Sequence, residues 1–410
     1  MMLNTLWISF FLLAIGAALG EAWLGGQTGM PAAVMQAGFA SAKLGFEIAL
    51  GLTGVMCLWM GLMRVGERAG VVEWLARMLA PLLRRLFPGV PAGHASLGSM
   101  TLNLSANVLG LDNAATPMGL QAMREMQTLN PDRDTASNAQ ILFLVLNASS
   151  VTLLPITIFT YRAQLGAADP TDVFLPILFA TTCSTVAGLI FVAVAQRLSL
   201  WNLVVMIWLT GGVLILGALV AWFLSLPSGE MTAMSSLISN TLLLGLIALF
   251  LLLASLRRIN AYESFIEGAR EGFNTAVSII PYLVAMLVAI GMLRASGLLG
   301  AAVDGLRSLV MAGGWNAEWV EAVPTMLMKP LSGSGARAMM IETMQNFGAD
   351  SFAGRLACVV QGSTETTFYV LAVYLGAVGL KRARHALAAC LVADAAGFAG
   401  AVVAAYAFFA

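Results

Sequence analysis

The sequence predicts an all-α, polytopic membrane protein made of two inverted-topology repeats, each carrying a broken helical hairpin that enters the membrane and returns. Three observations predict it. The 410 residues are 59% hydrophobic and only 10% charged, with a mean hydropathy of +0.87, too little charge to cover a soluble domain. Apolar runs of about 20 residues, enough for a helix to cross a hydrocarbon core of about 30 Å, recur along the chain. The order of elements in the first half returns in the second.

The first apolar run, 3–20, follows the string MMLNT, which holds no Lys or Arg, and more apolar runs come after it. It therefore reads as a retained span rather than a signal peptide, with Gly16 and Gly20 as a packing notch. Continuous spans are expected near 46–63, 138–160, 172–195, 201–224, 236–256, 275–293, 352–378 and 384–409. Residues 68–86 place Val72, Leu75, Leu79, Leu82 and Leu86 on one helical face, flanked by Arg68, Arg77, Arg84 and Arg85. That is the pattern of an amphipathic helix on the membrane interface, bent at Pro81. Residues 298–311 take the matching place in the second half. The stretches 95–127 and 320–346 are apolar but broken in the middle by small and polar residues, and each reads as a re-entrant hairpin.

Basic residues set an expected orientation. Arg64, Arg68, Arg77, Arg84 and Arg85 follow the second span, Arg257 and Arg258 follow 236–256, and Lys381, Arg382 and Arg384 precede the last span. The opposite loops, 21–45 and 225–235, hold only Lys43. The N-terminus is then cytoplasmic and the C-terminus outside, with Arg294 and Arg307 as exceptions. The two linking spans invert the second half relative to the first. MGLMRVGERAGVVEWLARML (60–79) echoes IGMLRASGLLGAAVDGLRSL (290–309), and LNASSVTLLP (146–155) falls against VQGSTETTFY (360–369).

Four polar clusters lie within the apolar stretches. The first holds Asn103, Ser105, Asn107, Asp112, Asn113 and Thr116; the second Asn147, Ser149, Ser150 and Thr152; the third Lys329, Ser332, Ser334 and Arg337; the fourth Gln361, Ser363, Thr364, Glu365, Thr366 and Thr367. An unpaired polar group in hydrocarbon costs several kcal/mol, so such clusters persist where protein or a wet cavity satisfies them. Half-helix N-termini at the breaks suit an anionic group, and Asn, Gln, Ser and Thr read neutral donors and acceptors. Expected solute contacts are Asn103, Asn107, Asp112, Asn113, Thr116, Asn147, Ser149, Ser150, Ser332, Ser334, Gln361, Ser363 and Thr364. Arg337 is the expected anion contact and Glu365 the expected proton or cation coupling site. The blander readings are back-bonding of each hydroxyl to its own helix, a structural pair of Glu365 with Arg337 or Lys329, an Asx cap at Asp112, and a helix–helix contact at Asp394.

Other classes find little support. The 21 basic and 21 acidic residues give no basic stripe for nucleic acid. Cys57, Cys183, Cys358 and Cys390 sit in apolar runs without a CxxC pair and read as small core residues. His94 and His385 have no second ligand at a metal-binding spacing, so neither metal nor cofactor is expected. No HExxH or GxSxG string is present, and no enzyme activity is expected.

The strings LGLDNAATPMGLQAM, LNPDRDTAS and DPTDVFLPILFAT make residues 1–197 resemble the spore maturation protein A family. YESFIEGAREGF, GADSFAGRLACVVQGSTETTFYVLAVYLGAVG and LVAD make 259–409 resemble the spore maturation protein B family. The chain looks like a fusion of the two, joined by 198–258, within the wider nucleoside recognition or Gate group. That resemblance implies two Gate halves, 1–197 and 259–410, and an inner-membrane transport fold with paired hairpins. It names no solute. The group also includes domains of ferrous-iron transporters, but this sequence has no P-loop string for nucleotide-driven uptake.

The expected function is a secondary transporter of a small polar or anionic metabolite across the bacterial inner membrane, by alternating access coupled to protons or sodium. Its partners are the solute and the bilayer, and the reading allows a homo-oligomer. The competing expectation is a non-transporting component of envelope or spore-cortex assembly.

Overall fold

In the computed structural model the described residues are 2–110, 112–149, 151–225 and 228–409. Only the backbone is described at 2–3, 112–114 and several positions between 209 and 236. After α1 (Met2–Trp23), a first series runs α2 (Met30–Arg68), α3 (Val71–Leu86), α4 (Ala95–Val108), α5 (Asp112–Thr128), α6 (Asn138–Ser149), α7 (Ile156–Gln164) and α8 (Phe174–Gln196). Two helices follow, α9 (Leu203–Leu224) and α10 (Ser228–Leu256). A second series repeats the order: α11 (Ala261–Ala295), α12 (Leu298–Ala312), a 3-10 turn (Glu318–Ala322), α13 (Val323–Met328), α14 (Gly333–Phe347), α15 (Phe352–Gly362), α16 (Thr367–Gly376) and α17 (Ala386–Phe409). Among the described residues, seven segments are long and apolar enough to cross a membrane. Their flanks carry exposed Leu12, Phe39, Val194, Leu244 and Leu252, as lipid-facing positions should.

Each series opens with a helix longer than a bilayer requires. α2 has 39 residues and α11 has 35, about 58 and 52 Å at 1.5 Å per residue. Both end at a left-handed glycine, Gly70 with φ 74° and Gly297 with φ 81°, a conformation open to residues without Cβ. These glycines lie three positions apart in the ungapped match of 60–79 with 290–309. The first series therefore carries nearly one extra turn beyond Arg64, the residue matching Arg294.

Two expectations change. The basic stretch after the second span is not a loop, because α2 continues to Arg68. Arg64 donates to Glu67 at 2.8 Å and to Glu267 at 2.9 Å, and Arg68 pairs with Glu267 and with Ser264, which neutralises the helix end. The spans expected to be continuous at 138–160 and 352–378 are each broken. α6 stops at Ser149 and α7 starts after Pro155, which has no N–H to continue a helix and disfavours the α region at Leu154. α15 stops at Gly362, and the amide of Glu365 donates to the carbonyl of Ala148 at 2.8 Å instead of bonding within its own helix. That carbonyl lies in the last turn of α6, where four acceptors have no partner of their own.

The chain forms two compact units, and each draws on both series. The first comprises Met1–Met60, Thr157–Pro170 and Ala269–Gln361; the second comprises Gly61–Ile156, Thr171–Gly268 and Gly362–Ala410. In the second unit Leu83, Phe87, Met100, Met123, Phe143, Leu371, Tyr374 and Cys390 form one core. Its end is fastened where Thr135 bridges Arg382, Lys381 pairs with Asp134, and Arg384 donates to Asn138 at 2.9 Å. In the first unit Ala14, Ala18, Val34, Met292 and Leu293 form one core and Val303, Ala317 and Val320 another. All four cysteines are free, with Cys358 and Cys390 buried.

Candidate functional site

In the second unit three backbone interruptions meet. The tip of the α4–α5 hairpin reaches the first broken span, where the Leu153 amide donates to the Val108 carbonyl at 2.8 Å. Gly110, at φ 74°, sits so close that a Cβ there would lie 2.7 Å from the Leu154 carbonyl oxygen. The second broken span reaches the first through the Glu365–Ala148 bond. Tips and breaks are where a membrane protein keeps irregular backbone that faces protein or a cavity.

Around this junction lies a chain of neutral groups. Asn107 donates to Oδ1 of Asn147 at 2.8 Å, and the Tyr374 hydroxyl donates to the same oxygen at 3.3 Å. Asn147 itself donates to the Phe143 carbonyl at 2.9 Å. Asn103, fully buried, donates to the Ala115 carbonyl at 2.8 Å and contacts the Tyr374 hydroxyl at 3.4 Å. Farther along, Thr367 donates to buried Asp394 at 2.7 Å, the helix–helix contact expected of that aspartate. Among the described residues, Oδ1 of Asn103 and the hydroxyls of Ser184 and Thr364 are buried with no hydrogen-bond partner. Ser184 and Thr364 converge on Gly397, where a Cβ would lie 3.2 Å from Ser184 Cβ and 2.8 Å from Thr364 Cγ2. Buried polar atoms are nearly always bonded, so these three mark places where a further donor or acceptor fits.

Glu365 is half-buried and enters no ion pair among the described residues. Ser149 is buried, and its hydroxyl donates back to Val145 at 2.8 Å, the self-satisfied arrangement open to any helical serine. Thr116 and Ser363 belong to the same unit, Ser363 fully buried. The expected contacts at Asp112, Asn113 and Ser150 lie outside the described residues, since Asp112 and Asn113 have only a described backbone.

The first unit holds the other predicted residues. Ser332 caps α14, accepting from the Gly335 amide at 3.0 Å, and its hydroxyl lies 3.2 Å from that of Ser334. Lys329, just before the cap, is 4% exposed. The Arg337 guanidinium sits 5.8 Å from the centre of the buried Tyr161 ring, a cation–π geometry, and its Nε has no hydrogen-bond partner among the described residues. Gln361 Oε1 and Thr325 Oγ1 are likewise buried without one. Arg294 grips Glu342 through two nitrogens, and Asn346 donates to Glu342 at 2.7 Å. Arg162, fully buried, donates to the carbonyls of Ala349 (2.6 Å), Asp169 (3.1 Å) and Pro170 (3.2 Å) and to Asp350 (3.1 Å).

Sequence reading missed Tyr374, Ser184, Glu342 and Arg162. Glu342 carried a usable signal, an acidic residue within an apolar hairpin. Tyr374 and Arg162 carried none, because Tyr374 meets amides 227 and 271 residues away and Arg162 bonds mainly to backbone carbonyls; Ser184 carried none because it looks like any small residue in a span.

The model of the family described as nucleoside recognition (Gate) matches residues 49–165 and 276–381, one stretch in each series. Spore maturation protein A of Bacillus subtilis (strain 168) is 36% identical over 189 residues, which cover 46% of this chain and 93% of that protein. Spore maturation protein B of the same strain is 47% identical over 158 residues, covering 38% of this chain and 87% of that protein. The two cover different parts of the chain, as a fusion of them would. No solved structure matches.

Proposed function

This chain belongs to the nucleoside recognition (Gate) family and is a multi-pass membrane protein, and from that premise we propose that it is a secondary transporter of a small polar or anionic metabolite. The observation that carries the reading is the junction of the second unit: two broken spans and a hairpin tip meet beside an amide chain and three buried oxygens that have no partner among the described residues. Broken helices paired between repeats are the usual site of solute and coupling ion in secondary transporters. Within the second unit the amide chain suits neutral donors and acceptors on the solute; within the first unit, taken by itself, Lys329, Arg337 and the capped start of α14 suit an anionic group. Glu365, half-buried and in no ion pair among the described residues, takes the coupling role for a proton or sodium ion. Residues 1–197 and 259–410 act as two inverted Gate halves joined by 198–258, in the bacterial inner membrane, with the N-terminus cytoplasmic and the C-terminus outside. No reaction chemistry is part of the reading.

A second reading, a non-transporting part of envelope or spore-cortex assembly, draws on the names of the two relatives. A thermal-shift screen of the purified protein in mild detergent separates the two. Nucleosides, amino acids, dicarboxylates and aromatic carboxylates are tested at two pH values, because a ligand of the folded state raises stability as RT ln(1 + [L]/Kd). A stabilising solute whose effect is abolished by Asn147→Ala supports transport and names the solute class. No stabilisation by any class, with a cooperative melt, supports the assembly reading.

A further inference from the structure

One feature of the second unit plays no part in the transport reading. Between α3 and α4 lies a cavity of about 220 Å³, floored by Ala76, Ala80, Leu97, Gly98 and Leu102. It is smaller than the roughly 300–1,000 Å³ usual for whole small-molecule ligands, and its floor is apolar. Small side chains create it: a Cβ on Gly98 would meet nothing within 4 Å. Thr101 also lines it, but its hydroxyl donates to Leu97 within the same helix.

The rim is cationic. Arg77 and Arg84, two turns apart on α3, border the cavity and are exposed. The Nε of Arg77 donates to the Glu73 carbonyl at 3.3 Å, and neither guanidinium enters an ion pair among the described residues. Arg64 and Arg68, at the end of α2, are by contrast paired with Glu67 and Glu267. The exposed face of α3 mixes apolar and charged groups: Trp74 is 51% and Met78 42% exposed, beside exposed Glu73 and Arg85. A helix that buries Val72, Leu83 and Leu86 inward, presents Trp and Met outward and carries arginines among them lies at the headgroup level of a bilayer.

We propose that the α3–α4 groove binds one anionic phospholipid, with its phosphate between Arg77 and Arg84 and the start of one acyl chain over Ala80 and Gly98. The charge complements the phosphate diester, and the apolar floor and limited volume suit a chain segment rather than a polar solute.

The test is a thermal-shift titration of the full chain in zwitterionic detergent with short-chain phosphatidylglycerol, phosphatidylcholine of equal chain length, and glycerol 3-phosphate. Phosphatidylglycerol is expected to raise the melting temperature saturably, and the other two to leave it unchanged. Two arginines, each a contact to an anionic headgroup, predict that Arg77→Gln with Arg84→Gln raises the apparent Kd on the order of tenfold. Gly98→Leu fills the groove without touching either charge, and is expected to keep the melting temperature in detergent but lose the lipid shift. If the double variant does not fold, Gly98→Leu decides alone. An equal response to glycerol 3-phosphate would overturn the lipid assignment in favour of a simple anion site. An undiminished phosphatidylglycerol shift in Gly98→Leu would overturn the groove.

Discussion

The two hairpins occupy the same place in the order of elements, yet their chemistry differs. Around the α4–α5 hairpin the buried groups are neutral: Asn103, Asn107, Asn147 and Tyr374 bond to one another and to backbone carbonyls. Around α13–α14 charges take that place: buried Lys329 and Glu342, with half-buried Arg337 and Arg294 beside them. A buried charge is tolerable only with a partner, so the charged hairpin is held by a few strong contacts. A neutral network shares its load among several weak ones and can leave an oxygen such as Asn103 Oδ1 unmatched at lower cost. The comparison teaches that one element order can be filled by an ionic cluster in one series and by a neutral amide network in the other.

The largest test of that contrast is Arg162→Ala in the charged unit. It strands three carbonyls and Asp350, and the expected loss is about 3–5 kcal/mol in chemical denaturation. Arg162→Lys, with fewer donors in the wrong geometry, should recover only part. A loss below about 1 kcal/mol would mean that the arginine clamps nothing. In the neutral unit, Asn147→Ala removes the acceptor shared by Asn107 and Tyr374 and should cost about 1–3 kcal/mol. Ser149→Ala, whose hydroxyl only bonds back to its own helix, should stay within about 0.5 kcal/mol; equal losses for the two would erase the distinction between network and bystander.

Gly397→Val presses on Thr364 and Ser184 from the last helix, with an expected cost of about 1–3 kcal/mol from overpacking. Any solute-induced thermal shift should vanish with it. Glu365→Gln should change stability by less than about 0.5 kcal/mol but flatten the pH dependence of solute uptake. Uptake that keeps its full pH profile in that variant removes the coupling role.

The smallest effects concern loops of the second unit. Burial, aided by Arg384, holds the His385 imidazole below its ordinary value of 6.5. The folded state thus binds that proton more weakly than the unfolded one, so stability falls as pH drops through 6.5 toward the lower folded value. A bond from Thr135, more than any other contact, holds the Asp132 carboxyl below 3.8, so its contribution is present above that value and is lost as pH falls through the folded one. His385→Asn should remove the first step and leave the second in an unfolding series across pH.

How much of this was legible in the sequence depends on how local each cause is. The amphipathic α3 and the hairpin turns follow from nearby residues, the leucine spacing of 72–86 and the Gly-Asx and Ser-Gly strings, and they fall where expected. The long runs at 138–160 and 352–378 read as continuous because hydropathy averages over a polar interruption. The second break holds no proline; it depends on a carbonyl at Ala148, more than 200 residues away, and no local pattern records that. The extension of α2 to Arg68 was hidden in the same way, since Arg64 and Arg68 look like loop charges until Glu267 arrives from α11. Among the candidate residues, the amides clustered by sequence proved to share bonds, whereas Tyr374, which connects them, looks like any aromatic in a span.

The crosswise make-up of the two compact units has a consequence for assembly. Each unit takes helices from both ends of the chain, so a cut in the stretch 198–258 would leave neither piece with a full set for either unit. Structure formation would then become a bimolecular event, dependent on how much of each piece is made. The intact chain replaces that concentration dependence with a fixed one-to-one supply and a local concentration set by the length of the connection.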